Sequence, residues 1–500
     1  MGVLFQFPGR KSLSGPLLDA EFAHVQARVR AKLAMEQYYQ LSSDGWSNVR
    51  GESIMSYVVT CGQGDYYITS TDASLVEKKS GEWCFGDFER VVTSDLEWKK
   101  LSGVITDTEG KMKKMWALIE TKYPSIMAYG CCTHAIQLLL KEICAADWFA
   151  LVCRRCNQIS KWFRNHHLPA GLLRKYGKLL KLKVSRPVRH CATRFASWVY
   201  VVERIWGLRR ALRLVVDNAT YKARCLNKQG RDDDEEDKEP TAIINDPDFW
   251  LQVEKFLDVM VPIRVMLRYT DTRFSLACRV YEKFSDLKGK VADLKLEAGF
   301  TSEIRDDIVA KVEARWNYIH HDVHAAGYVL DPSNILIDMS ENEEVWDGFL
   351  RVLDRLCTKE EKKEALIEYA KYKNKEGLSD FLSLTDSVSP HAFWTSYCGR
   401  FPVLKNMVAL RILDLRAGTR CVESHFSIMG GIHSKGRSRL VNGKVRKLTY
   451  VVSNTKMLDA AAKGDFTVEQ KEDSDSDDSD YATDTDREDE EALENDKDDD

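Results

Sequence analysis

Membrane-spanning length is the first thing this 500-residue chain lacks: no stretch approaches the 18 or more consecutive apolar residues that a bilayer-crossing helix needs. The opening MGVLFQ has no Ser or Thr where a myristoylation signal carries one, and no secretory signal is recognisable. A disulfide framework is missing too, since the thirteen cysteines are odd in number and irregularly spaced. The expectation is a soluble protein with reduced thiols, in the nucleus or cytosol, with no membrane partner and no small-molecule cofactor. Zinc is poorly provided for. Cys153 and Cys156, with His166 and His167 downstream, lack a second ligand pair at finger spacing, and Ile159, Trp162 and Phe163 suggest a helix. A buried pair of thiols and no structural zinc are expected there. What is present is ample apolar material, 44% of a chain too long for one core, so two or three domains are expected.

Charge of one sign is missing from one stretch and scarce in another. Between Asp147 and Glu203 there is no Asp or Glu, while Arg154, Arg155, Lys161, Arg164, Arg174, Lys175, Lys178, Lys181, Lys183, Arg186, Arg189 and Arg194 supply twelve positive charges. Such a patch suits a phosphate backbone. Trp162, Phe163, His166, His167, Tyr176, Phe195 and Trp198 interleave rings that can stack on bases. The competing reading is an amphipathic helix pair with aromatic core and solvated charges. The opposite bias lies in residues 471–500, with 17 Asp and Glu against 3 Lys and Arg; that net of −14 within a chain total of −4 leaves +10 on the other 470 residues. The tail, 459–500, has almost nothing to bury and is expected to be disordered, either engaging basic partners or aiding solubility. A second acidic run, Asp232 to Glu239, marks an expected loop at 231–240.

Three stretches each bring a carboxylate to the end of an ordered element. In LSGVITD the β-branched run Val104, Ile105, Thr106 stops at Asp107 before Thr108-Glu109-Gly110, and in YYQLSSD the run leads to Asp44 before Gly45 breaks it. Both read as strand ends, although Asp-Gly is also a common turn dipeptide. The third is Glu423 in RCVESHFSIMGG, where Val422, Phe426 and Met429 at i, i+4 and i+7 form an apolar stripe with Glu423 at its margin. Two aspartates at neighbouring strand ends completed by a distant glutamate are what two divalent metals about 4 Å apart require for in-line attack on a phosphodiester. An ordinary exposed glutamate and capping aspartates are the alternative.

GRKSLSGPLLD, LSSDGWSNVRGESIMSYVV, VITDTEGKMKKMWALIETKYP, YGCCTHAIQLLLKEI and ISKWFRNHHLPAGLL follow one another between about residues 10 and 218. In this order they resemble the core of hAT-superfamily (hobo/Ac/Tam3-type) DNA transposases, in the branch with a transposase-like domain of unknown function. CVESHFSIMGGIHSKGRSRL followed by KLTYVVSN resembles the short hAT C-terminal dimerisation segment. The resemblance implies an Asp44-Asp107-Glu423 triad holding two Mg²⁺ or Mn²⁺ ions, cleavage and strand transfer on DNA, a nuclear location and a homo-oligomer formed through the C-terminal segment. It also implies DNA contacts from Cys131 and His134, whose alternative role is packing at a helix start, and from Arg186, Arg189, Arg194 and Phe195. Phe195 stands where the family has a tryptophan that stacks on a flipped base, and Glu109 stands where it has small residues, a glutamate able to compete for metal. No Cys-x-x-Cys precedes Asp44, so the family's BED zinc finger is expected to be absent and end recognition supplied elsewhere, or the chain to be a domesticated binding and dimerising factor without catalysis.

The expected architecture is α/β, an RNase H-like mixed sheet interrupted by a long all-α insertion. Ser53–Cys61 and Tyr66–Thr69 read as strands after the Asp44 strand, Lys111–Lys122 as a helix, Ile126–Tyr129 as a strand and Leu138–Ile143 as part of a helix. The expected domains are an extension at 1–30, a first core part at 31–145, an all-α insertion at 146–408 with a basic DNA-binding face, and the returning core with the dimerisation segment at 409–458. In that last segment Phe426, Ile428, Met429, Ile432, Leu440, Val445, Leu448, Tyr450, Val451 and Val452 serve self-association or packing within the chain.

Overall fold

β-branched and aromatic runs near the start of the chain pair into a single sheet in the computed structural model, which describes residues 8–62, 64–191, 196–226, 235–297, 299–339 and 341–463. β1 (Tyr39–Ser47), β2 (Ser53–Cys61) and β3 (Gly64–Asp72) form an antiparallel meander. β4 (Leu101–Thr106) and β5 (Met127–Gly130) join beside β1 in parallel, so the order is β3-β2-β1-β4-β5. Parallel neighbours need crossovers. α1 (Leu18–Met35) precedes the sheet, α2 (Gly81–Asp95) carries the chain from β3 to β4, α3 (Gly110–Lys122) from β4 to β5, and α4 (Cys132–Ala145) leaves β5. This is the α/β, RNase H-like mixed sheet that the sequence led us to expect.

Three details differ. β1 does not end at Asp44 but runs on to Ser47, because Asp44, Gly45, Trp46 and Ser47 pair with Ser56, Met55, Ile54 and Ser53 before the turn. A glycine weakens a strand interior, and here the ladder on both sides carries the strand through it. β3 extends to Asp72 in pairing with β2, and α1 and α2 had no expected counterpart.

The described residues fall into two units, one of 8–136, 266–286 and 314–463 and another of 137–265 and 287–313. The segment expected as one insertion, 146–408, is thus shared, its helices beyond residue 314 grouping with the sheet. In the first unit alternate residues of β4 and β5 feed two cores. Val104 and Ala128 enter a core with Val25, Phe88 and Ile119 from α1, α2 and α3. Ile105, Met127 and Tyr129 enter the other, with Val323, Phe349 and Trp394. Truncating a fully buried Phe or Trp such as Phe88 or Trp394 to Ala costs about 3–5 kcal/mol.

The second unit is helical, with Asp147–Asn165, His167–Leu179 and Ser197–Asp217 packed on one another. Cys153 and Cys156 are buried there beside Phe149 and Ile159 on one helix. Glu235–Asn245 is also a helix, so the later part of the acidic run is no loop, while 231–234 lie outside the described residues. The chain remains helical to Lys463, five residues into the expected tail; 464–500 lie outside the described residues. Among the described residues no helix is long and apolar enough to cross a membrane.

The return to the sheet is built from backbone. Cys132 N–H donates to Ala417 O (2.9 Å), Ala417 N–H to Ser275 O (3.1 Å) and Ala277 N–H to Leu415 O (2.7 Å). Beneath it, Gln40 donates to the Tyr129 hydroxyl (3.1 Å), which donates to Arg416 O (2.8 Å), while Arg416 N–H donates to Gln40 Oε1 (2.7 Å). Two glycines let the segment approach so closely: a Cβ on Gly103 would meet Leu415 Cδ2 at 2.6 Å, and one on Gly418 would meet Thr133 Oγ1 and Thr270 O at 2.5 Å. The chain then enters α5 (Arg420–Ile432) and α6 (Asn442–Lys463). α6 packs on α1 and β3, and its Asn454 side chain bonds the Tyr67 backbone in both directions, at 2.9 and 2.8 Å.

Candidate active site

Strand register brings the two aspartates abreast. β1 and β4 run parallel with Ser42 opposite Ile105, so two residues further along each chain Asp44 and Asp107 stand level on the same face. α5 lies across β1 and β2. Its Cys421 thiol meets Ser42, and its Phe426 ring stacks on Trp46 at 5.9 Å. Ser42, Asp44 and Trp46 share one face of β1, so Glu423, between Cys421 and Phe426, comes over Asp44. Asp44 thus comes within electrostatic reach of both Asp107 and Glu423 in the first unit.

Their electrostatics record the crowding. The Asp44 carboxyl is pushed up to about 7, first by burial and then by Asp107, with Glu423 and Glu109 adding to the effect against a 2.7 Å hydrogen bond donated by Gly45 N–H. Asp107 is also raised by burial, against a 3.2 Å hydrogen bond from Glu109 N–H; the Glu109 carboxylate raises it further, and His134 and Lys111 lower it. Glu423 is raised by burial and by Asp271, and lowered by Arg420. Arg420 Nη1 lies 3.7 Å from Asp271 and 3.8 Å from Glu423. Asp271 and Arg420 escaped the sequence reading. Arg420, one helical turn before Glu423, could have been found from spacing; Asp271 is distant in sequence and gives no local signal. It is placed by Thr270, whose carbonyl accepts from Thr133 Oγ1 at 2.8 Å.

Carboxylates that repel one another are chemically suited to a divalent cation, which would relieve the repulsion. Mg²⁺ keeps several waters and needs only one or two protein carboxylates besides substrate phosphates, a donor set that Asp44 and Asp107 can supply. Among the described residues no three of His, Cys, Asp and Glu are gathered closely enough to hold an ion by protein ligands alone.

The other expected contacts are dispersed. Cys131 is 1% exposed. Its sulfur accepts from His134 N–H (3.5 Å) and the Thr419 hydroxyl (3.4 Å), tying the start of α4 to the start of α5. It offers DNA no accessible atom, so its expected contact gives way to a structural joint. His134 is half-buried in the first turn of α4, beside Asp107. Arg186 and Arg189 are exposed on an irregular segment of the second unit, and Arg194 and Phe195 lie outside the described residues. Of the basic run, Arg155 is ion-paired with Asp246 and Arg164 donates to Pro187 O at 3.1 Å. Arg154, Lys161, Arg174, Lys175, Lys178, Lys181 and Lys183 are exposed. Trp162 and Phe163 are core residues rather than stacking surfaces, with Trp162 Nε1–H donating to the Tyr221 hydroxyl at 3.2 Å.

The fold is an RNase H-like mixed sheet, with Asp44 on β1 and Asp107 just past the end of β4. Residues 8–159 match a family model described as a domain of unknown function (DUF659), the domain found in hAT-family transposase-like proteins. The matched residues span all five strands and stop short of the 409–458 segment. No curated protein matches the chain.

Proposed function

We propose that this chain is a hAT-like transposase that cleaves and joins DNA phosphodiesters through Asp44, Asp107 and Glu423, in the nucleus and as a homo-oligomer. The observation that carries the reading is the level placement of Asp44 and Asp107 on adjacent parallel strands beneath the Glu423 helix. Two Mg²⁺ or Mn²⁺ ions, when bound, would supply activation of the attacking water or 3′-hydroxyl and stabilisation of the leaving oxygen. Asp44 and Asp107 orient the reacting phosphate. Glu423 closes the site from α5, and Arg420 holds its carboxylate in place. His134, whose charge acts on Asp107, would donate to a phosphate oxygen. Met429, Val445 and Tyr450 are buried within the chain, while Val441 and Val452 are exposed and Ile428, Ile432, Leu440 and Leu448 half-buried, apolar surface that a second copy would cover.

The test is Mg²⁺- or Mn²⁺-dependent cleavage of plasmid and hairpin-forming DNA by the purified chain beside Asp107→Asn. Cleavage by the wild type that falls by at least about 10³-fold in the variant is expected, since losing a ligand removes several kcal/mol of charge stabilisation. No cleavage by either protein, with DNA binding retained by both, would sink the catalytic reading. It would favour a transposase-derived binding factor.

A further inference from the structure

A polar cleft of about 190 Å³ opens beside Asp107, between the end of β1, the start of β2, Lys79 just ahead of α2, and the first turn of α3. We infer that this cleft seats a DNA backbone phosphate, gripped by Lys79, on the strand that flanks the phosphodiester addressed by the carboxylates. The inference rests on the reading above and deepens it by assigning a substrate subsite.

The cleft is smaller than the roughly 300–1,000 Å³ of sites that enclose whole small molecules. Its lining is chemically mixed in a way that suits a nucleotide's backbone. Ser47 and Ser53 offer hydroxyls, and Trp46, fixed by stacking on Phe426, offers a flat wall. The two lysines differ. Lys111 is ion-paired with Glu109, so its charge is already answered. Lys79 is half-buried, donates to the Ser53 hydroxyl, and has no carboxylate partner among the described residues. A partly desolvated ammonium on a concave wall gains most from an arriving anion. The carboxylates argue against a free anion lodging there alone, and for one delivered by a chain whose neighbouring phosphate is held at Asp44 and Asp107. Gly45, which lines the cleft next to Asp44 in the chain, has nothing within 4 Å of where a Cβ would stand. Asp107 and Lys79 line the same cleft, so a strand with one phosphate held at Asp107 would bring a neighbouring phosphate toward Lys79. The ordinary alternative is a lysine that only buttresses Ser53.

The test uses the full chain and a fluorescein-labelled oligonucleotide in Ca²⁺, with affinity followed over a range of KCl concentrations. Lys79→Gln is expected to weaken binding and to reduce the slope of log K against log salt by about 0.7–0.9, the release expected for one phosphate, with Lys79→Arg restoring both. Independently of any variant's folding, saturating oligonucleotide should protect Lys79 of the wild type from acetylation, read by peptide mass spectrometry. An unchanged slope in folded Lys79→Gln, or equal acetylation of Lys79 with and without oligonucleotide, overturns the assignment. Cleavage abolished by Asp107→Asn beside an unchanged Lys79→Gln slope would remove the phosphate grip and leave the transposase reading standing. A slope change and protection without any cleavage would do the reverse.

Discussion

Asp44 shows what a single residue gains and loses from its surroundings. Its folded-state value of about 7 lies above the ordinary 3.8, so between the two the folded chain holds the proton more tightly than the unfolded chain. Stability contributed at this position is present at low pH and is lost as pH rises through that window. Asp44→Asn, which never ionises, should therefore melt above the wild type at about pH 8 in EDTA and converge with it toward about pH 4. The gain should be roughly 1–2 °C for each kcal/mol of relieved repulsion in a unit of this size, read by scanning calorimetry. A difference that is constant across pH would mean that Asp44 is not the group strained by Asp107 and Glu423. Asp107 was legible in the sequence because a β-branched run stops at it. Asp44 was legible as a residue but not in its setting, since Gly45 looks like a breaker and the ladder with β2 carries the strand through it.

At the scale of elements, the last long helix does work that no local pattern announces. Tyr450 and Leu458 of α6 enter the core shared by α1 and the sheet. Asn454, fully buried, bonds both the N–H and the carbonyl of Tyr67 on the outer strand β3. A side-chain amide here completes backbone pairing at the edge of the sheet, a place that otherwise invites association. Asn454→Ala leaves two buried backbone groups without partners and should cost about 1–3 kcal/mol per group in urea unfolding. Asn454→Asp, which can accept from Tyr67 N–H but not donate to its carbonyl, should also be destabilising. A cost below about 0.5 kcal/mol for Asn454→Ala would show that water replaces the amide readily. The apolar character of this segment was readable in sequence. Whether it faces this chain or another was not, because periodicity marks a face without naming what covers it.

For the whole molecule, the division into two units separates two kinds of effect. The exposed Arg154, Lys161, Arg174, Lys175, Lys178, Lys181, Lys183, Arg186 and Arg189 all belong to the second unit, and the carboxylates all belong to the first. Replacing Lys175 and Lys178 with Glu should lower the salt slope of duplex binding by about 0.9 for each phosphate that is no longer neutralised, with Asp107→Asn leaving that slope in place. Filter binding across a KCl series decides it, and an unchanged slope would mean that this surface is merely solvated. By itself the sequence determined the strands, the helix that follows Asp107, the basic and acidic segregation and the identity of three carboxylates. These are written in periodicity, β-branching and charge, which act over a few neighbouring residues. Only the tertiary structure decided that β1 runs past Asp44, that the helices beyond residue 314 group with the sheet, and that Trp162, Phe163 and Cys131 are interior. It alone brought Asp271 to Arg420 and Glu423. The physical reason is that such placements depend on strand register, on the close approach that Gly103 and Gly418 permit, and on hydrogen bonds between residues hundreds of positions apart, none of which leaves a mark within a short window of sequence.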